Sequence, residues 1–147
     1  MHLCWIDRRH DRYRSPFNHN YEIGYCQRKD SESHWSKDVI LSPGLFYSYS
    51  PSMAVEDDQI VVAWSGFREA EDYHSELGPN DIYYVTSKDG GETWTAPLRV
   101  TDNVKDGINS REPQVALHKG IIHLFYTHGK AKDLAGQICY QQRSFPN

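Results

Sequence analysis

The sequence predicts an all-β fold built from a repeated antiparallel sheet. Three observations predict it. First, Glu22-Ile23-Gly24-Tyr25-Cys26-Gln27-Arg28, Asp81-Ile82-Tyr83-Tyr84-Val85-Thr86-Ser87 and Gln137-Ile138-Cys139-Tyr140-Gln141-Gln142-Arg143 each place Ile and Tyr at the same offsets, 59 and then 56 residues apart. Second, the apolar runs are short and rich in β-branched and aromatic residues, and none holds a 3.6-residue period. Third, a hairpin signal, Gly90-Gly91, sits between two such runs. A period of this size belongs to a propeller blade or a solenoid unit. Four-stranded antiparallel units repeated radially make a β-propeller. The expectation is a partial β-propeller of about two and a half to three blades.

Each unit is assembled from four strand types. Strand one is read at Pro51-Ser52-Met53-Ala54-Val55 and at Pro113-Gln114-Val115-Ala116-Leu117. Proline is tolerated where a strand starts, because no interior ladder bond is lost. Strand two is read at Leu3-Cys4-Trp5, Val62-Ala63-Trp64 and His123-Leu124-Phe125, three runs ending in an aromatic. Strand three is the Ile–Tyr set. Strand four is read at Val39-Ile40-Leu41 after Trp35 and at Leu98-Arg99-Val100 after Trp94. The complete unit spans 51–101, with strands near 51–55, 60–64, 81–87 and 97–101. Ile60-Val61-Val62-Ala63-Trp64 is apolar throughout, as a strand covered on both faces requires. Residues 1–42 read as a blade without strand one, and 113–147 as a blade without strand four. The chain is therefore expected to be a fragment whose partners include the remaining blades of the same propeller, with unpaired edges if isolated.

Composition narrows the function. Of 147 residues, 38% are hydrophobic and 13% aromatic, enough for a core and against disorder. No run approaches the roughly 18 apolar residues of a membrane span. The formal net charge of −4 argues against a dedicated nucleic-acid binder. Cys4, Cys26 and Cys139 are too few and too scattered for a disulfide framework or a zinc site, and are expected as buried free thiols. Met1-His2-Leu3-Cys4-Trp5 lacks the charged and long apolar regions of a signal peptide. No nucleophile-elbow, P-loop or zincin motif is present. No metal and no cofactor is expected. His123, Tyr83, Tyr84, Tyr140 and Phe125 lie in strands and are expected in the core.

The most specific motif is Ser87-Lys88-Asp89-Gly90-Gly91-Glu92-Thr93-Trp94. Glycine supplies the positive φ of a tight turn. An aspartate accepts backbone N–H groups of its own turn, hydroxyls close it, and the tryptophan buries it. The alternate oxygen ligands of a calcium loop are missing. Arg28-Lys29-Asp30-Ser31-Glu32-Ser33-His34-Trp35 is a degenerate copy that keeps Asp30 and Trp35. The complete motif resembles the Asp-box, or BNR repeat, of the sialidase-like propellers. The resemblance implies structural roles for Ser87, Asp89, Gly91, Thr93, Trp94, Asp30 and Trp35, on the side of the propeller away from the substrate.

The opposite side gathers the segments 6–21, 42–50, 65–80, 102–112 and 126–136. The resemblance implies arginines there that grip a substrate carboxylate with a two-pronged donor. Arg111, in Arg111-Glu112-Pro113, matches the family's Arg-x-Pro, with Glu112 where an aliphatic residue is usual; a solvated arginine is the alternative. Trp5-Ile6-Asp7-Arg8-Arg9 aligns with Trp64-Ser65-Gly66-Phe67-Arg68. Arg9 and Arg68 are thereby candidates for acidic-sugar contact, or structural loop anchors. Asp133 falls where the family carries its acid/base aspartate, or is an exposed loop residue. Tyr47, Tyr49 and Tyr73 lie on this side, but none matches the family's tyrosine nucleophile. The implied function is part of an exo-α-sialidase-like glycoside hydrolase acting on or binding glycans, inactive as this chain alone. A non-catalytic BNR propeller scaffold is the alternative. The resemblance also implies a secreted or periplasmic setting.

Overall fold

The computed structural model describes residues 1–9, 21–43, 47–67, 80–103, 108–130 and 136–146. The described residues contain ten strands and no helix. They are β1 (His2–Asp7), β2 (Glu22–Gln27), β3 (Val39–Ile40), β4 (Tyr47–Glu56), β5 (Gln59–Phe67), β6 (Asp81–Ser87), β7 (Leu98–Arg99), β8 (Ile108–His118), β9 (Ile121–Lys130) and β10 (Gln137–Ser144). They form three antiparallel sheets, ordered β1-β2-β3, β4-β5-β6-β7 and β8-β9-β10. The architecture is that of a partial β-propeller.

The 59-residue period is written into the hydrogen bonds as well as the strands. β3 and β7 are only two residues long because hydroxyl side chains complete the ladder on either side of them. Ser42 Oγ accepts from Ile23 N at 2.9 Å, and Thr101 Oγ1 from Ile82 N at 3.0 Å. Ser36 Oγ accepts from Gln27 N at 3.0 Å, and Thr95 Oγ1 from Thr86 N at 3.1 Å. Each pair of acceptors lies one repeat apart.

The sheets stack face to face over two apolar layers. Between the first and second lie Ile23, Tyr25 and Leu41 against Ile60, Val62, Trp64, Tyr83 and Val85. Between the second and third lie Val61, Ala63, Ile82 and Tyr84 against Ile122, Leu124, Tyr126 and Phe145. The middle strand β5 feeds both layers from alternate residues, which accounts for its unbroken apolar run.

Three expectations need correction. Pro51 and Pro113 do not start strands; β4 begins at Tyr47 and β8 at Ile108. The register slips between Tyr49 and Ser52, and equally between Arg111 and Gln114. A β-bulge absorbs each proline mid-strand. Secondly, the strand-two alignment is off by one in the third repeat. Cys4 pairs with Tyr25, Ala63 with Tyr84 and Phe125 with Tyr140, so Tyr126, not Phe125, takes the place of Trp5 and Trp64. A one-residue shift changes the face of every side chain. Phe125 and Tyr140 pair on the face of the third sheet turned away from the second, and stay 42% and 50% exposed, outside the core. Lastly, only Cys26 is buried; the free thiols of Cys4 and Cys139 are half-buried.

The turn after β6 locks the first layer. Gly90 and Gly91 have φ of 68° and 98°. Asp89 Oδ1 accepts from Ser87 Oγ at 2.8 Å and Thr93 N at 2.9 Å, and Oδ2 from Thr93 Oγ1 at 2.5 Å. Ser87 Oγ accepts from Gly91 N at 2.8 Å. The closed turn sets Trp94 edge-on to Tyr25, with ring centroids 4.7 Å apart at 73°. Among the described residues, the corresponding turn in the first sheet has no such network around Asp30; Trp35 lies 36% exposed, with the Arg28 guanidinium 5.5 Å from its ring.

Hydrogen bonds, from Thr93 above all, hold the Asp89 carboxyl at about 2, below its ordinary 3.8. A depressed carboxyl contributes stability that is complete above its unfolded value and is lost as pH falls through its folded one. The thermal midpoint is expected to drop between about pH 4 and about pH 2. Asp89→Asn is expected to be less stable at pH 7 and to have a shallower pH dependence in that window, as measured by melting curves.

Candidate functional site

The ends of β1, β5 and β9 and the starts of β2, β4, β6, β8 and β10 share one end of the sheets. The candidate site lies there. Its centre is the pair of bulges on the first strands of the second and third sheets. Ser50 and Glu112, each preceding a proline, have φ of 53° and 54°. Non-glycine residues in this region carry a strain of about 1–2 kcal/mol. The surroundings hold the geometry: Glu112 N donates to Ser65 Oγ at 3.0 Å, and Thr127 Oγ1 donates to the Arg111 carbonyl at 3.1 Å. Val115 N donates to Ser52 Oγ at 3.1 Å, tying β8 to β4.

These twin bulges place Tyr49 and Arg111 at equivalent positions on neighbouring strands. Burial pushes the Tyr49 hydroxyl up to about 12, and the nearby Arg111 charge opposes that rise. Tyr49 leads into an aromatic row. Its ring lies 5.4 Å from Tyr47, which stacks on Phe67 at 5.4 Å and 11° and lies 4.6 Å from Tyr21. The Arg8 guanidinium sits 4.9 Å from the centroid of Tyr21. A cation and a row of ring faces suit an anionic ligand with apolar faces.

Arg9 stands in a different environment. Its guanidinium bonds Asp7, with Nη2 at 2.5 Å from Oδ2, and also bonds Asp38. Asp7 accepts from Arg9 N at 2.9 Å and from Trp5 Nε1 at 3.3 Å. The Arg9 side-chain hydrogen bond, first among several causes, lowers the buried Asp7 carboxyl to about 2. In the second sheet, Gly66 replaces Asp7 and lets the Tyr47 backbone approach; Trp64 Nε1 has no hydrogen-bond partner among the described residues. Arg68, Tyr73 and Asp133 lie outside the described residues.

A buried polar network supports the same end, and the sequence reading did not find it. Asp81 Oδ2 accepts from Arg99 Nε at 2.9 Å and from its Nη2. Asp81 Oδ1 accepts from Thr101 Oγ1 at 2.7 Å and Asn103 N at 2.9 Å. Asn103 Nδ2 donates to the Asn80 carbonyl at 2.7 Å and to Ser110 Oγ at 2.9 Å. Ser110 Oγ in turn lies 2.9 Å from His128 Nδ1. This chain joins β6 to β8 one residue before Arg111. Among the described residues, no group of three or more His, Cys, Asp or Glu is placed to hold a metal ion.

No family model and no curated protein matches the chain. Solved structures do. An α-L-arabinanase of Penicillium chrysogenum, complexed with arabinobiose, superposes with a TM-score of 0.64 at 14% identity, over 99% of this chain and 41% of that one. A family 117 glycoside hydrolase of the marine bacterium Zobellia galactanivorans gives 0.49 at 18% identity, covering 86% and 38%. A Hadza microbial sialidase gives 0.42 at 15% identity, covering 87% and 39%. The chain shares the β-propeller fold of the arabinanase and spans about two-fifths of its length.

Removing Asp81 leaves Arg99, Thr101 and Asn103 without their shared acceptor. Asp81→Ala is expected to cost about 3 kcal/mol, the lower end for breaking a buried ion pair, because Arg99 stays partly exposed. Urea denaturation checks this.

Proposed function

We propose that this chain contributes three sheets to a larger sialidase-like propeller that acts on or binds glycans bearing a carboxylate. The observation that carries the reading is the twin bulge, which sets Arg111 beside Tyr49 on adjacent first strands. A guanidinium there grips a sugar carboxylate through two donors. The row Tyr49, Tyr47 and Tyr21 offers ring faces to the sugar. Arg68 and Asp133 remain candidates from the sequence, Arg68 for the anion and Asp133 as acid/base. The hydrogen bonds of Ser87, Asp89 and Thr93, with Trp94 packed behind them, support the Asp-box reading of that turn. A glycoside hydrolase-like fold supports a glycan ligand without choosing the sugar.

A non-catalytic propeller scaffold is the second reading. Arg9 favours it, since that guanidinium is already engaged by Asp7 and Asp38.

The test is saturation-transfer NMR with N-acetylneuraminic acid on the 147-residue chain, beside turnover of a fluorogenic sialoside. The expected result is binding without turnover, weakened about tenfold or more by Arg111→Ala, the loss of a charge-assisted bond pair. Turnover abolished by Arg111→Ala would contradict the expected inactivity of this chain alone. Absence of any Arg111-dependent binding would leave the scaffold reading.

A further inference from the structure

We propose that His128 is a ligand-binding residue of the candidate site, held by a buried relay so that its Nε2–H donates to a hydroxyl or carbonyl oxygen of the glycan whose carboxylate Arg111 takes. The inference rests on the glycan reading and adds a second, uncharged contact to it.

The relay is decided atom by atom. The Asn80 carbonyl can only accept, and Asn103 Nδ2 lies 2.7 Å from it. That fixes the Asn103 amide, with its other N–H directed at Ser110 Oγ at 2.9 Å. Ser110 is fully buried, and its hydroxyl has one further partner among the described residues, His128 Nδ1 at 2.9 Å. If Nδ1 carried the ring proton, Ser110 Oγ would accept twice, and its own proton would be buried without an acceptor. Leaving a buried donor unmade is the costlier arrangement. The serine therefore donates to Nδ1, and the neutral ring carries its proton on Nε2.

Nε2 bonds no described residue, yet it is not buried. The ring lies on the face of β9 that Leu124 and Tyr126 present to the second sheet, edge-on to Tyr126 at 6.4 Å and 76°. Arg111 meets Tyr49 of the second sheet on that side. The bulge holds this neighbourhood from both strands. Ser110 precedes Arg111, and Thr127, which precedes His128, donates to the Arg111 carbonyl.

The architecture does not require a histidine here. The register makes Asp7, Gly66 and His128 equivalent, two residues beyond Trp5, Trp64 and Tyr126. It also makes Ser48, opposite Gly66, the counterpart of Ser110, opposite His128. In the second sheet the position carries no side chain and the buried Ser48 Oγ has no partner, and the sheet forms all the same. In the first sheet it is the buried Asp7, engaged by Arg9 and Trp5. Of the three, His128 alone pairs a fixed ring with a polar atom left for a ligand. A nitrogen fixed as a donor selects an acceptor oxygen and discriminates against an analogue that lacks it.

Two measurements test the relay and the contact separately. Long-range proton–nitrogen correlation spectra of the chain labelled at histidine, at about pH 8 where histidine is ordinarily neutral, read the tautomer. His128 is expected with its proton on Nε2, and Ser110→Ala is expected to let both tautomers appear. The Nδ1–H form in the unaltered chain would overturn the proposal. Saturation-transfer NMR with N-acetylneuraminic acid reads the contact. His128→Phe is expected to weaken binding about fivefold, the loss of one neutral hydrogen bond. His128→Gln, whose amide places an N–H near Nε2, is expected to keep most of the binding, which a packing role alone would not produce. Arg111-dependent binding that His128→Phe leaves unchanged, or that glutamine does not restore, would overturn the proposal while the glycan reading stands. No Arg111-dependent binding in the unaltered chain would remove both.

Discussion

The stacking of the sheets depends on one close approach, the Gly90-Gly91 turn against Tyr25 and Trp94 against the same ring. Face-to-face sheets slide easily, because apolar packing is not directional. A turn that fits only when it carries no side chain fixes the slide. Asp89 makes the turn rigid enough to serve, by collecting donors from Ser87 and Thr93. Trp94 then extends the apolar layer between the first two sheets past the end of the strands. The more exposed Trp35 turn of the first sheet is what the motif becomes with Arg28, Glu32 and His34 in place of its serine, glycine and threonine.

The other end of the sheets is organised by strain rather than by fit. Ser50 and Glu112 adopt a left-handed conformation ahead of proline, which the ladder alone would not choose. Ser65 and Thr127 hold the second of these kinks, and the network from Asp81 to His128 ties the strands around it. Rigid support of this kind is what a binding side chain requires if it is to meet a ligand without reordering. The result is a fixed neighbourhood of Tyr49 and Arg111, with aromatic rings running away from it.

Much of the fold was legible because the Ile–Tyr repeat is a register mark: Ile23, Ile82 and Ile138 do occupy matching positions on β2, β6 and β10. The slip at Phe125 arose because aromatic identity was matched where pairing decides the face, and Tyr126 stands beside it. The prolines misled because Pro51 and Pro113 signal a strand start and a bulge equally well. Ser36 with Thr95 and Ser42 with Thr101 were readable in principle, since each pair is one period apart and hydroxyl in both copies. The Asp81 network was not readable. Thr101 repeats Ser42, but Arg99 and Asn103 have no counterpart one period earlier, where Ile40 and Gly44 stand, and only the fold brings the members together. Within the candidate site, Arg111 was picked out by its motif, whereas its neighbourhood with Tyr49 needed the bulge geometry.

A double-mutant cycle on Tyr25→Ala and Trp94→Ala, followed by chemical denaturation, tests most directly whether the turn locks the sheets. Edge-to-face aromatic pairs couple by about 0.5–1.5 kcal/mol beyond their buried area. The account predicts a coupling in that range. Additive losses, with no coupling between the two sites, would contradict it and leave the sheets held by apolar burial alone.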